Sequence, residues 1–204
     1  MMEEKIAKIR RWLGTGSINI FGLPMSGKDT QGIRLAEALD AKFLSSGMII
    51  RAMEEESGKK YTADGSLAPT NLFYRWVLPY FERRDLFRSP LILSSIGRWY
   101  GEEGQVMNAA AGAGHEIKAV VLLKLSEKDV VERFRVAKTL GDRGNREDDK
   151  NLEVFKVRLK EFREKTEPVL RHYQELGLLI EANGNQSRDA VFAEMIEKLY
   201  QKTF

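Results

Sequence analysis

Apolar positions set the reading of the chain. Ile6, Ile9 and Leu13 share one face at helical spacing and predict a core-packed helix over 3–13, broken by Gly14-Thr15-Gly16. Ile18-Asn19-Ile20-Phe21 then reads as a buried strand, and residues 33–39 continue as a helix. Further on, 42–44 predicts a second strand, 48–57 a helix, 58–69 a polar loop and 70–83 a helix that Pro79 kinks or ends. A third strand is expected at 90–94, a helix at 102–113, and the most strand-like run of the chain at 118–125. Ser126 with Asp129 caps a helix through 137, and a charged, glycine-rich loop follows at 140–149. A long helix over 150–176, a strand at 178–181 and a helix at 187–202 close the pattern. Short apolar strands alternating with helices predict an α/β fold, a parallel sheet covered on both faces.

Composition narrows the class. A chain of 204 residues, 43% of them apolar, suits one domain with small insertions. No apolar run approaches the roughly 20 residues that span a bilayer, and residues 1–14 lack the apolar centre of a secretory signal. No membrane partner is therefore expected, and the cytoplasm is the expected location. The absence of cysteine excludes disulfides and thiolate metal sites. A net charge of +3 spread over 33 basic and 30 acidic residues makes a mixed solvated surface, not a groove for a nucleic acid polymer.

The chemistry concentrates at Gly22-Leu23-Pro24-Met25-Ser26-Gly27-Lys28-Asp29-Thr30-Gln31. A strand, a G-x-x-x-x-G-K loop and a helix form a phosphate cradle. Backbone N–H groups turn toward one anion, the helix N-terminus adds positive potential, and Lys28 brings a point charge to the β/γ-phosphates.

With its flanking segments, this loop resembles the adenylate kinase family of nucleoside monophosphate kinases, from Ile18 to Leu199. The segments that carry the likeness are the Gly-x-Pro-x-x-Gly-Lys-x-Thr-Gln loop, Ser45-Ser46-Gly47-Met48-Ile49-Ile50-Arg51, Gly65-Ser66-Leu67-Ala68-Pro69 and Leu93-Ser94-Ser95-Ile96-Gly97-Arg98. Arg146-Glu147-Asp148-Asp149 with Arg158, Thr166-Glu167-Pro168-Val169 and Gly184-Asn185-Gln186-Ser187 continue it. The resemblance implies a five-stranded parallel sheet in the order 2-3-1-4-5 within a three-layer sandwich. It further implies one kinase domain over 1–204, with a monophosphate-binding insert at about 45–85 and a short lid at about 138–149. ATP would bind at Gly22, Pro24, Met25, Ser26, Gly27, Lys28, Asp29, Thr30 and Arg133. The monophosphate, AMP on the family pattern, would bind at Ser46, Gly47, Arg51, Arg98 and Glu102. Lys28, Arg98, Arg146 and Arg158 would act on the transferring group. Arginine suits that task because its planar fork grips phosphate bidentately. Expected partners are ATP with Mg2+ and a nucleoside monophosphate, with the protein a monomer.

Three positions depart from the family. Asp29 stands where the family has glycine, and Met48 and Ser94 stand where it carries acids that order hydrated magnesium. Asp29 therefore becomes the expected metal anchor, with Thr30 beside it; the alternative is a carboxylate that complements the helix dipole. Glu102 falls where a family glutamine reads adenine. An ionised carboxylate only accepts, which suits the adjacent N–H groups of guanine, so GMP or a pyrimidine monophosphate stands as the alternative acceptor. Loss of both acids leaves a second alternative, a nucleotide-binding homologue with weakened catalysis. His115 and His172 are expected to be structural, and Phe73, Trp76, Phe81, Trp99 and Tyr100 to pack in the core.

Overall fold

The computed structural model describes residues 1–140 and 151–204. Its sheet is parallel throughout, in the order β2-β3-β1-β4-β5, with strands at Ser17–Gly22 (β1), Lys42–Ser45 (β2), Leu91–Ser94 (β3), Ile117–Lys124 (β4) and Leu179–Asn183 (β5). Strand order and class match the expectation. The period-2 alternation of each strand builds two cores. Ile18 and Ile20 of β1, Ile92 of β3 and Val121 of β4 point to one face, where Met2–Leu13 (α1), Lys28–Leu39 (α2) and Arg188–Gln201 (α9) cover them. Phe21, Leu93 and Val120 point to the other, beneath Ser46–Ser57 (α3), Thr70–Trp76 (α4), Glu102–Gly112 (α5) and Glu167–Glu175 (α8).

α1 belongs to the first core. Ile9 and Leu13 are fully buried there, and Lys5 pairs with Glu197 of α9. Glu127–Leu140 (α6) begins at the Ser126–Asp129 capping box: the Ser126 hydroxyl donates to the carboxylate at 2.6 Å and accepts the Asp129 N–H at 3.1 Å. α6 and Leu152–Glu161 (α7) enclose a third apolar cluster, in which the Phe134 and Phe155 rings stack 4.4 Å apart.

Two expected helices are divided. The run 70–83 stops being α-helical at Trp76 and continues as 3-10 turns at Leu78–Glu82 and Arg84–Leu86, because Pro79 has no N–H to give and its ring clashes one turn back. The run 150–176 carries a π-helical turn at Phe162–Thr166 between α7 and α8. Pro168 sits in the first turn of α8, and its missing N–H falls where the wider turn hands over to the next α-helix. No described helix is long and apolar enough to cross a membrane.

Candidate active site

β1 delivers the chain into the phosphate loop, and α2 starts at Lys28. Gly27, at φ 87°, makes the left-handed turn that aims the first N–H groups of α2 at the loop's interior. The Ser26 hydroxyl is buried in the loop with no hydrogen-bond partner among the described residues. Arg133 of α6 braces this loop from outside. Its guanidinium donates to the carbonyl oxygens of Met25 and Ser26 at 3.4 and 3.3 Å, and to that of Gly184 at 2.8 Å. Arg133, expected at ATP, thus also ties the loop to the turn after β5.

At the end of β3 the Ser94 hydroxyl, 1% exposed, donates to Asp29 Oδ1 at 2.5 Å. The carboxylate that sequence places in α2 thus reaches the position where a β3 acid would stand. Thr30, one residue on, is exposed.

Beyond β3 the chain turns sharply. Asn19, buried in β1, pairs with the main chain of Ile96 in both directions: its Nδ2 donates to the carbonyl oxygen at 2.8 Å and its Oδ1 accepts the N–H at 3.3 Å. That pairing fixes the loop carrying Arg98, whose Nε donates to the Ser95 carbonyl at 3.3 Å. The Ser46 hydroxyl donates to the same carbonyl at 2.7 Å, so the start of α3 is tied to the Arg98 loop. The Arg51 guanidinium lies over Gly47, where an added Cβ would stand 3.2 Å from Nη1.

These groups meet in one cleft. Gly22, Pro24, Lys28, Ser46, Gly47, Arg51, Arg98, Glu102 and Arg158 line it, all of them expected at the site. Met25, Ser26, Gly27, Asp29, Thr30 and Arg133 are not among the residues that line it. Arg146 and most of the expected lid lie outside the described residues. Four cationic side chains converging on one cleft can neutralise a polyanion that carries more charge than a single phosphate.

Sequence reading missed several parts of the wall. Ile50, Leu67, Ala68, Phe73 and Phe162 give the cleft an apolar section, and Trp99 and Thr166 complete it. Phe73, Trp99 and Tyr100 had been read as core residues: Phe73 packs in the second core and also lines the cleft, Trp99 is half-buried in the cleft wall and joins no apolar core, and Tyr100 is 70% exposed. Glu54, 2% exposed, accepts from the N–H groups of Tyr61 and Thr62 and from the Thr62 hydroxyl, pinning the loop after α3. That loop docks on α7 through Gly65, at φ 89°, where any Cβ would stand 2.5 Å from the Val154 carbonyl oxygen. Glu161 of α7 accepts the Leu67 N–H at 3.0 Å and the Lys165 ammonium at 2.6 Å. Lys165 Nζ in turn sits 3.8 Å from the centre of the Trp99 ring.

Glu102 is placed differently from a free base reader. It is 2% exposed at the first turn of α5. Its Oε2 accepts from the N–H groups of Arg98 at 3.0 Å and Trp99 at 3.1 Å, and its Oε1 from the Thr70 hydroxyl at 2.8 Å. Burial raises its pKa above the ordinary carboxylate value while these donors pull it down. His172 has a structural setting, its Nδ1 2.8 Å from the buried Glu103 carboxylate.

Comparison with known proteins agrees with this geometry. A family model described as an AAA domain matches residues 21–156. Over 189 residues the chain is 32% identical to an adenylate kinase of Agrobacterium fabrum, covering 89% of this chain and 95% of that protein. It is 31% identical to an adenylate kinase of Azobacteroides pseudotrichonymphae over 90% of this chain and 96% of the other. A UMP-CMP kinase of Lentinula edodes is 30% identical over 91% of this chain and 82% of its own length.

Proposed function

The chain belongs to the adenylate kinase family, and from that membership we propose that it transfers the γ-phosphoryl group of ATP reversibly to a nucleoside monophosphate, with AMP as the acceptor. The observation that carries this reading is the convergence of Lys28, Arg51, Arg98 and Arg158 on one cleft that also has an apolar section. A simple ATPase has no need of a second set of phosphate clamps on α3 and after β3. Adenylate kinases among the relatives favour AMP, while the UMP-CMP kinase keeps a pyrimidine acceptor as the second reading.

In the proposed reaction an oxygen of the acceptor's phosphate bonds to the γ-phosphorus as the bond from that phosphorus to the β–γ bridging oxygen breaks. The products are ADP and a nucleoside diphosphate. The protein's share is position and charge. Lys28 and the loop N–H groups hold the donor's phosphates, Arg51 and Arg98 orient the acceptor's, and Arg158 meets the charge that develops on the transferring group. Residues 45–85 serve as the acceptor insert and 138–149 as the lid, where Arg146 is proposed to join Arg158. The working unit is proposed to be a monomer.

Magnesium bound with ATP would neutralise and orient the β- and γ-phosphates. The donor set fits it: Asp29 supplies a hard carboxylate oxygen and Ser94 a hydroxyl at the phosphate loop. Mg2+ is commonly held by substrate phosphates and water with one or two protein carboxylates, and Asp29 would be that anchor.

ADP formation, followed by a coupled assay with ATP alone and with ATP plus AMP, tests the function. ADP production that requires AMP supports the kinase. Hydrolysis indifferent to AMP, or no turnover with any monophosphate, defeats it.

A further inference from the structure

We propose that His172 is a positioning residue for the acceptor nucleotide: through Glu103 it holds, from α8, the turn that carries Arg98. The inference deepens the kinase reading and rests on it. The turn at 98–101 is folded around two neighbouring carboxylates in the first turn of α5. Glu102 accepts the N–H groups of Arg98 and Trp99, and Glu103 Oε2 accepts that of Gly101 at 2.6 Å. Glu103 is 1% exposed. A carboxylate taken out of water is costly to bury unless its oxygens are met by donors. Its Oε1 lies 2.8 Å from His172 Nδ1, and an ionised carboxylate only accepts, so that nitrogen carries a proton and donates.

Neither His172 nor Glu103 lines the cleft, so the imidazole reaches a nucleotide only through Gly101 and the turn to Arg98. α8 is a firm place to hold from. Tyr173, the next residue, is fully buried, with its ring 6.1 Å from that of Phe21 in β1. Lys165 and His172 stand about two helical turns apart. Both reach the same turn: Lys165 Nζ covers the Trp99 ring, and the His172 ring lies 6.3 Å from that of Tyr100. Asn19 fixes the chain just upstream, at Ile96. Without the imidazole, Glu103 is one donor short inside the protein. The first turn of α5 gains by moving its carboxylate toward water, and Gly101 and the Arg98 turn move with it.

Calorimetric binding of AMP, CMP, UMP and ATP to the wild type, His172→Leu, His172→Asn, Glu103→Gln and the double variant tests this, with each protein held below its Tm. His172→Leu should weaken the best-bound monophosphate at least about fivefold, part of what a hydrogen bond to a charged group contributes. ATP should bind as it does to the wild type. His172→Asn, whose side-chain N–H can stand where Nδ1 does, should recover most of the loss. Glu103→Gln keeps an oxygen for Gly101 and carries no charge, so adding His172→Leu to it should cost no further affinity. Lost stability alone would lower the fraction that binds and leave Kd as it was. An unchanged monophosphate Kd in folded His172→Leu overturns the proposal. So do a loss that His172→Asn shares, an equal loss of ATP affinity, and a full His172→Leu effect in the Glu103→Gln background. The kinase reading is scored separately. A wild type that binds none of the three monophosphates overturns both, whereas one that binds with this pattern and transfers nothing upholds the positioning and defeats the kinase.

Discussion

Asp29 and Ser94 show how one hydrogen bond changes the meaning of a substitution. Sequence alone left Asp29 as either a metal anchor or a helix-dipole residue. The bond of 2.5 Å from Ser94 brings its carboxylate to the end of β3, where a nucleotide in the cleft would carry its metal. Asp29→Ala is expected to raise the magnesium concentration for half-maximal activity by about tenfold, the worth of one charge-assisted contact. It should also reduce the preference for Mg-ATP over free ATP in binding assays. The exchange variant Asp29→Gly with Ser94→Asp should restore both, an outcome that a helix-dipole role would not produce. Glu102 yields a second prediction at this scale. Its folded pKa is raised by burial above the unfolded value of 4.5. The folded state thus binds the extra proton, and Glu102's stabilising share is complete below that value and lost as pH rises through the folded pKa. Unfolding free energies of the wild type minus those of Glu102→Gln should fall across that window in denaturant titrations at stepped pH. A difference that climbs with pH would show that the backbone donors outweigh burial.

Elements explain what the chain's pattern concealed. The strands and the phosphate loop were legible because alternation, glycines and Lys28 act locally, whereas the strand order came only through the family resemblance. The π turn at Phe162–Thr166 was not, since its residues keep helical spacing and only Pro168 marks the irregularity. Glu161 and Lys165, four residues apart on that stretch, received no role from the sequence for the same reason. In the fold that pair reaches two places at once: Glu161 holds the Leu67 N–H of the proposed acceptor insert, and Lys165 covers the Trp99 ring beside Arg98. The long helix thereby connects the loop at Leu67, the turn carrying Trp99 and Arg98, and Arg158 of α7. Lys165→Met keeps the stem and removes the charge. It should raise KM for the monophosphate about three- to tenfold, in line with a desolvated cation–π contact together with an ion pair, and leave KM for ATP unchanged. Lys165→Arg should recover most of the loss. Steady-state kinetics with each substrate varied in turn separates this from general destabilisation, which would lower the active fraction and shift neither KM. Glu102 was legible as a position but not as a staple, because its three donors come from Thr70 and from backbone that folds back on it.

Across the whole molecule the two cores divide stability from chemistry. The face that carries α3, α4, α5 and α8 forms the cleft, whereas α1, α2 and α9 close the opposite face. Only α2 takes part in both, through its first turn. α1 has no residue on the cleft, yet Ile9 and Leu13 are 0% exposed and lie against β1, α2 and α9. A deletion at Leu13 removes buried methyl groups and leaves a cavity that a close-packed interior fills only in part, at a cost of about 3 kcal/mol. In a chain of this size that corresponds to a fall in Tm of about 10 °C. Leu13→Ala should show that fall in thermal unfolding, while KM for both nucleotides, measured well below the new Tm, stays at the wild-type value. The contrast with Lys165→Met is the informative one, because that variant should alter acceptor KM with little change in Tm. If Leu13→Ala instead weakened monophosphate binding, packing on the far face would be setting the cleft's geometry through the sheet. α2 would be the element to carry it, since its first turn holds Lys28 and Asp29 while its last buried residue, Leu39, packs in the same cluster as Leu13.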